Sequence, residues 1–257
     1  MRVLIVSYSF SNQTRKIVRA VKEGLLEEGG LPLKGIGSAQ AGAGHSGQEE
    51  PCRIKVRHIR LEPDPPLEFP FGTYARTAVM MVKTFFRMRV PIAPLPGRSQ
   101  FDHDMVILAG PTWSYNPSGP ILSFLDRYAE DFLYGKPVLA VISCRGYWRV
   151  HWAYLKWRIR RAGGRPLGPW VFTHPAKEPW RTIGVFLTVA GRHPRRLSFM
   201  KKRYRRYGHS RRQIDRAREA ARELAREMKK EAAGLGGGGV GRIDGLFADR
   251  KAGPRIF

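Results

Sequence analysis

The sequence predicts an α/β fold, a three-layer, doubly wound sheet of five parallel strands with insertions. Two observations support this prediction. Apolar runs such as residues 2–7 are continuous rather than alternating, which is typical of parallel strands covered on both faces. Helical patterns lie between these runs, and parallel strands need crossover connections that are usually helical. A chain of 257 residues is long enough to bury such a core without disulfide bonds.

The predicted strands and helices alternate along the chain. Strands are expected at residues 2–7, 53–59, 104–109, 137–143 and 169–173, and helices at residues 14–28, 73–89, 119–130 and 150–162. A last helix follows, because Ser210 and Gln213 form a capping box and apolar residues recur behind it at helical spacing. This apolar stripe, which is expected to close the last flank of the sheet, consists of Ile214, Ala217, Ala221, Leu224 and Met228.

Residues 1–233 are predicted to form a single domain. The domain is expected to contain a flexible insertion at residues 29–52, a basic aromatic insertion at residues 174–209 and the closing helix at residues 210–231. The tail at residues 234–257 begins with a run of glycines. Because glycine loses the most conformational entropy on ordering, this tail is expected to stay mobile.

The composition indicates an anionic partner and a reducing compartment. The formal net charge is +25, and residues 145–230 hold 25 Lys/Arg against 5 Asp/Glu. Cys52 and Cys144 show neither metal-ligand spacing nor a disulfide framework, so no metal site is expected and the protein is predicted to be cytoplasmic. The N-terminus lacks a signal-peptide pattern, and no apolar run approaches the ~20 residues that a membrane-spanning helix needs.

A cluster of polar side chains follows the first predicted strand, where it meets the first helix. Ser9, Ser11 and Thr14 offer hydroxyl groups, and Asn12 and Gln13 offer amides. The start of a helix has unpaired N–H groups and a favourable dipole, so this loop is a candidate anion site. In the alternative interpretation, Ser11 or Asn12 merely caps the helix. The motif of nucleoside triphosphate P-loops is absent, and no GxGxxG follows the strand.

Four sequence elements resemble those of flavodoxins and of flavodoxin-like NAD(P)H:quinone or FMN reductases. Residues 9–14 (SFSNQT) resemble the phosphate loop, with Asn12 where the family usually has glycine, and asparagine tolerates left-handed backbone conformations. Residues 110–116 (GPTWSYN) resemble the flavin loop of the quinone-reductase branch, and residues 143–147 (SCRGY) correspond to the second flavin-side loop. Residues 135–138 (GKPV) introduce the fourth strand as is common in these proteins. The resemblance covers residues 1–148 and implies the strand order 2-1-3-4-5.

The resemblance also implies FMN as the cofactor and NADPH or NADH as the co-substrate. The expected cofactor-binding residues are Ser9, Ser11, Asn12, Gln13 and Thr14 in the first loop, Pro111, Thr112, Trp113, Ser114, Tyr115 and Asn116 in the second, and Ser143, Cys144, Arg145, Gly146 and Tyr147 in the third. No catalytic acid, base or nucleophile is assigned, because the flavin carries the redox chemistry. A semi-buried thiol is favoured for Cys144 over a redox-active one. Arg145 either contacts an anionic flavin or substrate group or is solvated.

The basic half of the chain has three interpretations. Residues 146–161 interleave five basic side chains with aromatic ones, among them Trp148, Trp152, Tyr154 and Trp157, a combination found in nucleic-acid sites and at membrane interfaces. The apolar run at residues 183–190, close to the basic run at residues 201–206, favours an anionic membrane surface and makes nucleic acid an unfavoured partner. A plain buried helix is the third interpretation. The sequence therefore predicts a cytoplasmic protein that associates peripherally with the inner face of the membrane.

The predicted function is that of an FMN-dependent oxidoreductase that takes electrons from NAD(P)H and passes them to a quinone-like or other small-molecule acceptor. Two alternatives stay open: a non-enzymatic electron carrier of the flavodoxin type, and a fold that has lost its flavin and binds anionic lipid or nucleic acid. Carriers of that family are usually acidic, so the net charge argues against the first alternative. The resemblance to quinone reductases also implies that a homo-oligomer is an option.

Overall fold

The computed structural model describes residues 1–29, 53–97, 102–204, 207–232 and 255–257. Its strands are β1 (Arg2–Ser7), β2 (Lys55–Arg60), β3 (Met105–Trp113), β4 (Asn116–Pro117), β5 (Pro137–Cys144), β6 (Arg165–Thr173) and β7 (Arg255–Ile256). Its helices are α1 (Gln13–Glu28), α2 (Tyr74–Phe85), α3 (Gly119–Arg127), α4 (Ala129–Leu133), α5 (Arg149–Arg161), α6 (Trp180–Val189), α7 (Ser198–Lys201) and α8 (Arg211–Ala232). A 3-10 turn, Pro194–Arg196, lies between α6 and α7.

The main sheet confirms the predicted fold class. Its strand order is β2-β1-β3-β5-β6-β7 with every neighbouring pair parallel, and the short β4 pairs antiparallel with the end of β3. The five long strands therefore have the order 2-1-3-4-5 along the chain, which defines a flavodoxin-like fold. In such a fold, ligands bind beyond the carboxyl ends of the strands, where the order of the strands reverses.

Helices cover both faces of this sheet. Val3 and Ile5 of β1 are buried in one apolar cluster with residues of α1 and α8. Leu4 and Val6 are buried in a second cluster with residues of α3, α4 and α5. The continuous apolar run of β1 thus supplies side chains to both layers, which is the physical basis of the prediction made from its lack of alternation. None of the helices in the described part of the chain is both long and apolar enough to cross a bilayer.

Several element boundaries differ from the prediction because tertiary contacts set them. Helix α2 ends at Phe85 rather than at residue 89, and Arg87 just beyond it has a φ of 55°. The predicted helix at residues 119–130 is divided into α3 and α4 around Tyr128. Strand β3 extends to Trp113 and turns back into β4, so the predicted loop at residues 110–119 is partly a hairpin.

The predicted insertions and tail have three different outcomes. Most of the predicted flexible insertion, residues 30–52, lies outside the described residues. The basic aromatic insertion at residues 174–209 contains α6, the 3-10 turn and α7, with Met200 and Tyr204 buried. The predicted mobile tail at residues 234–257 differs from the structure at its end, where Arg255–Ile256 form β7 and the Phe257 ring stacks on Phe172 with centroids 4.7 Å apart.

The closing helix α8 begins with the predicted capping box. The Ser210 backbone N–H donates to Gln213 Oε1 at 2.9 Å, and the Gln213 N–H donates to Ser210 Oγ at 3.2 Å. The Gln213 side chain also donates to the Thr173 and Phe257 carbonyl oxygens at 2.7 and 2.8 Å. One residue therefore joins the start of α8 to the end of β6 and to the residue that follows β7.

Candidate functional site

The loop between β1 and α1 has the backbone geometry of an anion-binding turn. Asn12 immediately precedes α1 with a φ of 60°, the left-handed region that glycine and asparagine tolerate best, and its side chain makes no capping hydrogen bond. The Arg15 N–H donates to Ser9 Oγ at 3.2 Å, and Thr14 is buried. The first turn of α1 contains no acidic residue. No carboxylate of its own therefore competes for the positive end of the helix dipole.

A turn at residues 207–209 lies directly against this loop. The Tyr207 hydroxyl donates to Ser11 Oγ at 2.8 Å, and the His209 N–H donates to Gln13 Oε1 at 3.2 Å. Gly208 has a φ of 91°, and a Cβ there would lie 1.9 Å from Gln13 Oε1. The positive φ favours glycine at this position, and a side chain there would displace the Gln13 amide, so the turn packs closely over one side of the loop.

The end of β3 is fastened to α2 through the hairpin. Ser114, with a φ of 42°, donates from Oγ to the Met81 carbonyl oxygen at 2.9 Å. Asn116 is buried and donates from Nδ2 to the carbonyl oxygens of Thr84 and Phe85 at 3.2 and 3.0 Å. These bonds fasten the hairpin to carbonyl groups in the last turn of α2, of which the Thr84 oxygen also accepts from the Arg87 N–H at 3.1 Å. Asn116 therefore positions the hairpin, and its role in cofactor binding stays a prediction.

The end of β5 brings a hydroxyl, a thiol and a guanidinium to the same edge of the sheet. Ser143 Oγ is 2.7 Å from His209 Nε2. Burial raises the pKa of the Cys144 thiol to about 12, so Cys144 is a protonated, packed thiol at neutral pH. The Arg145 guanidinium lies 5.8 Å from the centre of the Tyr147 ring and remains half-buried.

Two buried histidines accompany these groups. Burial lowers the pKa of both His174 and His209 to about 4, so both rings are neutral at pH 7. The Ala176 N–H donates to His174 Nδ1 at 3.2 Å, which places the proton of the neutral ring on Nε2. That Nε2 has no hydrogen-bond partner in the described structure. Buried polar atoms are nearly always satisfied, so this nitrogen indicates a ligand or a water site.

Residues from these loops line a cavity of about 590 Å³, called here the polar cavity. It lies at the carboxyl ends of β1, β3 and β5, where the strand order reverses. Its lining consists of Phe10, Ser11, Gln13, Pro111, Thr112, Trp113, Ser143, Cys144, Arg145, His174, Val185, Val189, Tyr207, Gly208 and His209.

A second cavity, also of about 590 Å³ and called here the apolar cleft, adjoins the first. The two share Phe10, Thr112, Trp113, Arg145, Val185 and Val189. The remaining lining of the apolar cleft comes from Phe71, from four residues of α2 (Thr77, Met80, Met81 and Thr84), from Ser114 and from Phe186. The apolar cleft therefore passes between α2 and α6 and reaches Trp113 and Arg145 at its inner end.

The structure brings together nine of the sixteen predicted cofactor-binding residues. Eight of them line the polar cavity, namely Ser11, Gln13, Pro111, Thr112, Trp113, Ser143, Cys144 and Arg145, and Ser114 lines the apolar cleft. The other seven lie outside both linings: Ser9, Asn12, Thr14, Tyr115, Asn116, Gly146 and Tyr147. Tyr115 and Tyr147 are exposed and contact each other with ring centroids 5.1 Å apart.

The residues that form the second half of the polar cavity were not predicted as site residues. They belong to the segment that the sequence predicts only as a basic aromatic insertion, and they are His174, Val185, Val189, Tyr207, Gly208 and His209. The available signal was weak: three uncharged residues, Tyr207-Gly208-His209, follow the basic run at residues 201–206. Phe10 was also missed, although its ring contacts Trp113 with centroids 5.5 Å apart.

The basic aromatic stretch at residues 146–161 is largely a packed helix. Trp148, His151 and Leu155 are buried, and His151 Nδ1 is 2.7 Å from Thr112 Oγ1. Arg158 pairs with Asp126 at 2.5 Å. Only part of α5 faces outward, including Trp157 with the Arg161 guanidinium 5.7 Å from its ring. Helix α5 is thus amphipathic, with His151, Leu155 and Ile159 buried on one side, and the interpretations of this stretch as a membrane or nucleic-acid surface stay predictions.

Comparisons with known proteins return structural similarity only. No model of a known protein family and no curated protein matches the sequence. A flavodoxin from the domain Archaea has 12% identity and a TM-score of 0.45, with 89% of this chain and 99% of that chain covered. An oxidoreductase from Corynebacterium diphtheriae has 13% identity and a TM-score of 0.44, covering 88% and 94%. A flavoprotein in complex with FMN from Lactobacillus acidophilus has 13% identity and a TM-score of 0.41, covering 66% and 92%.

These similarities are remote, and the flavodoxin-like fold of the chain rests on its own strand order.

Proposed function

We propose that this chain binds FMN in the polar cavity and passes electrons from NADPH or NADH to a quinone-like or other small acceptor. The observation that carries the proposal is the polar cavity itself. It lies at the strand-order reversal between β1 and β3, with the start of a helix at one side and aromatic side chains at the other. Flavodoxins are the established example of FMN at this position, so the fold and the resemblance together support the proposal.

The donors around the β1–α1 loop fit a phosphate group. The first N–H groups of α1 have no carbonyl partner within the helix, and Asn12 adopts the left-handed conformation that the family's glycine would supply. The hydroxyls of Ser11, Tyr207 and Ser143 border the same cavity. The unpartnered His174 Nε2–H adds a buried donor, which fits a polar ligand better than it fits an empty space.

The remaining walls fit a flat aromatic ring. Phe10, Trp113, Val185 and Val189 give apolar contacts, and Arg145 adds a positive charge at the junction of the two cavities. FMN supplies the transfer of one or two electrons when it is bound. Arg145 would stabilise the negative charge that the ring acquires on reduction, and the packed side chains would exclude water from it.

The choice of substrates has its own support. A nicotinamide donor is implied by the resemblance of residues 110–116 to the quinone-reductase branch. The apolar cleft supports a quinone-like acceptor, because it joins the polar cavity and is lined by methionine, valine and phenylalanine side chains.

Binding of FMN is tested by titrating the purified protein with FMN and measuring the quenching of flavin fluorescence. The wild type is expected to bind FMN at micromolar concentration or below. Ser11→Glu places a carboxylate beside the phosphate position and is expected to weaken binding by about tenfold or more through charge repulsion. Ser11→Ala, which removes only a hydroxyl, is the matched control and should bind within about fivefold of the wild type. A wild type that takes up no FMN contradicts the proposal and favours the flavin-less alternative.

Anaerobic addition of NADPH or NADH to the FMN-loaded protein tests the enzymatic part. Loss of the yellow oxidised-flavin absorbance is the expected result. A bound flavin that stays oxidised would overturn the oxidoreductase proposal and support the electron carrier instead.

A further inference from the structure

Two stretches of the chain carry only positive charge. Residues 69–101 and 179–214 contain no Asp or Glu, and their described parts, residues 69–97, 179–204 and 207–214, hold 13 Lys/Arg. Two of these basic residues, Arg89 and Arg181, pair with acids outside the stretches, namely Asp126 and Glu178. No acidic residue within either stretch offsets the charge of the others.

The two stretches meet in the folded structure. The Phe71 N–H donates to the Val189 carbonyl oxygen at 2.9 Å. The Tyr74 ring stacks on Phe186 with centroids 6.0 Å apart, and the Arg192 guanidinium lies 5.7 Å from the centre of the Tyr74 ring. Helices α2 and α6, which are distant in sequence, thus contribute to one continuous surface.

This surface exposes an unusual amount of apolar side chain. Of the 16 large hydrophobic residues that are exposed in the described part of the chain, ten lie in these two stretches. Val82, Phe85 and Phe86 are 60%, 56% and 76% exposed. We call this surface the apolar basic face; its exposed apolar residues are Phe69, Tyr74, Val79, Met81, Val82, Phe85, Phe86, Ile183, Leu197 and Phe199.

Helix α2 is inverted relative to an ordinary surface helix. Its buried residues are two threonines, Thr77 and Thr84, and its valines and phenylalanine at positions 79, 82 and 85 face outward. The threonines keep their hydroxyls satisfied, since Thr77 Oγ1 donates to the Thr73 carbonyl oxygen and Thr84 Oγ1 is 2.8 Å from Ser114 Oγ. A surface helix that meets water on its outer side has the opposite arrangement.

The apolar cleft opens between the two helices of this face. Met80 and Met81 of α2 line one side, and Val185, Phe186 and Val189 of α6 line the other. A molecule held at the apolar basic face therefore has an apolar path to Trp113 and Arg145.

We propose that the apolar basic face docks on an anionic lipid bilayer, and that a lipid-soluble acceptor enters the apolar cleft from the membrane. Exposed aromatic and aliphatic side chains within a field of unopposed Lys/Arg match an apolar interior beneath an anionic surface. Nucleic acid would match the charge but not the outward valines and methionine of α2. The second part of the proposal, the entry of the acceptor, rests on the proposed redox function, whereas docking does not.

Vesicle flotation of the full chain without FMN tests docking by itself. The protein is expected to float with phosphatidylcholine vesicles that contain phosphatidylglycerol at low ionic strength, and less at high ionic strength. Pure phosphatidylcholine vesicles should bind it weakly. A wild type that stays at the bottom of the gradient with anionic vesicles at low salt overturns the proposal, whatever the result of the FMN titration.

A pair of double variants locates the docking surface. Val82→Ser with Phe86→Ser removes two exposed apolar side chains outside both cavity linings, and it is expected to lower vesicle partitioning by about tenfold or more. Val150→Ser with Trp157→Ser is the matched control on α5, where the two residues are 48% and 51% exposed, and it should partition like the wild type. Circular dichroism checks that both variants are folded. An equal loss in the two variants, or a wild-type dimer without vesicles that only the α2 variant abolishes, overturns the assignment of this face to the membrane.

The entry of the acceptor from the membrane is tested on FMN-loaded protein. The rate of reduction is measured for a quinone embedded in anionic vesicles and for a water-soluble quinone. The α2 double variant is expected to reduce the embedded acceptor more slowly than the wild type and the soluble acceptor at the same rate. Equal rates with the embedded acceptor overturn the membrane route while leaving the redox function intact.

Discussion

Helices α8 and α2 both carry basic side chains, yet the surroundings of these charges are opposite. On α8, three arginines reach glutamates of α1: Arg218 contacts Glu23, Arg222 contacts Glu27 at 2.5 Å, and Arg226 contacts Glu28 at 2.8 Å. Around α2, the stretch at residues 69–101 contains no acidic residue. Charge on α8 is therefore paired with acidic residues of α1, whereas the basic residues around α2 have no acidic residue in their own stretch, and of these Arg89 pairs with the distant Asp126.

The apolar sides of the two helices differ in the same way. Helix α8 buries Ala217, Leu224 and Met228, while α2 buries Thr77 and Thr84 and exposes its large apolar residues. Both helices are amphipathic, but only one directs its apolar side inward. An apolar stripe on a helix therefore does not by itself show where the helix packs. The tertiary structure decides whether the stripe is buried within the protein, as on α8, or exposed, as on α2.

The largest expected effect comes from breaking the close packing of α1 on α8. A Cβ at Gly24 would lie 2.3 Å from the Arg218 carbonyl oxygen and 3.0 Å from Ala221 Cβ. Gly24→Ala is therefore expected to lower the free energy of unfolding by about 1–3 kcal/mol, because two helix backbones must move apart. Urea denaturation measures the change. Lys16→Ala, at an exposed position of the same helix, is the control and should stay within about 0.5 kcal/mol of the wild type. A Gly24→Ala variant with the unfolding free energy of the wild type would contradict the close packing of α1 on α8.

A second prediction uses the pH dependence of stability to test whether burial keeps His151 neutral. Burial lowers the pKa of His151 to about 3 from an ordinary value of 6.5, so between these values the unfolded chain binds more protons than the folded protein. The stability is thus complete above pH 6.5 and is lost as the pH falls towards 3, by about 2 kcal/mol from this residue at pH 5.

His151→Asn, which keeps a polar partner for Thr112, should reduce the slope of the free energy of unfolding against pH in this window. His174 and His209 would account for part of the slope that remains, since their pKa values are lowered in the same direction. A variant with the same slope as the wild type would show that His151 is not kept neutral by burial.

The smallest expected effects come from removing one charged side chain from the α1–α8 contact and one from the apolar basic face. Glu23→Gln removes a carboxylate bound by Arg19 and Arg218, and it is expected to cost about 0.5–1 kcal/mol of unfolding free energy at pH 7. Arg76→Gln on the apolar basic face should cost nothing measurable, because Arg76 lies in the first turn of α2 and opposes its helix dipole.

The difference in unfolding free energy between the wild type and Glu23→Gln should disappear in acid. Burial raises the pKa of Glu23, but the bonds from Arg19 and Arg218 outweigh this and hold the pKa below the ordinary value of 4.5. The contribution of Glu23 is therefore present above pH 4.5 and is lost as the pH falls through the lower folded-state pKa. Urea midpoints of the wild type and Glu23→Gln at pH 7 and in acid measure this; a difference that persists in acid would exclude charge pairing as its source.

Short-range patterns were sufficient to predict the α/β class and the loops that form the first half of the polar cavity, whereas the strand order 2-1-3-4-5 followed from the resemblance to flavodoxins. The apolar run of β1, the polar loop at residues 9–14 and the Ser210–Gln213 capping box each depend on residues within one or two turns of each other. The choice of FMN, NAD(P)H and a quinone-like acceptor goes beyond these patterns and stays a prediction.

Long-range contacts decided the remainder of the site. Ser11 and Tyr207, and likewise Gln13 and His209, are separated by 196 residues, and no local pattern connects them. The role of Asn116 as a partner of the α2 carbonyl groups, and the outward direction of Val82 and Phe85, also depend on what packs nearby. The sequence by itself determined the five long strands, the main helices and the capping box of α8, because these follow from the conformational preferences of neighbouring residues, whereas the end of α2, the division between α3 and α4 and the β3–β4 hairpin depended on tertiary contacts. Only the tertiary structure decided which polar groups meet and which apolar side chains stay exposed, because those outcomes depend on the packing free energy of distant segments together.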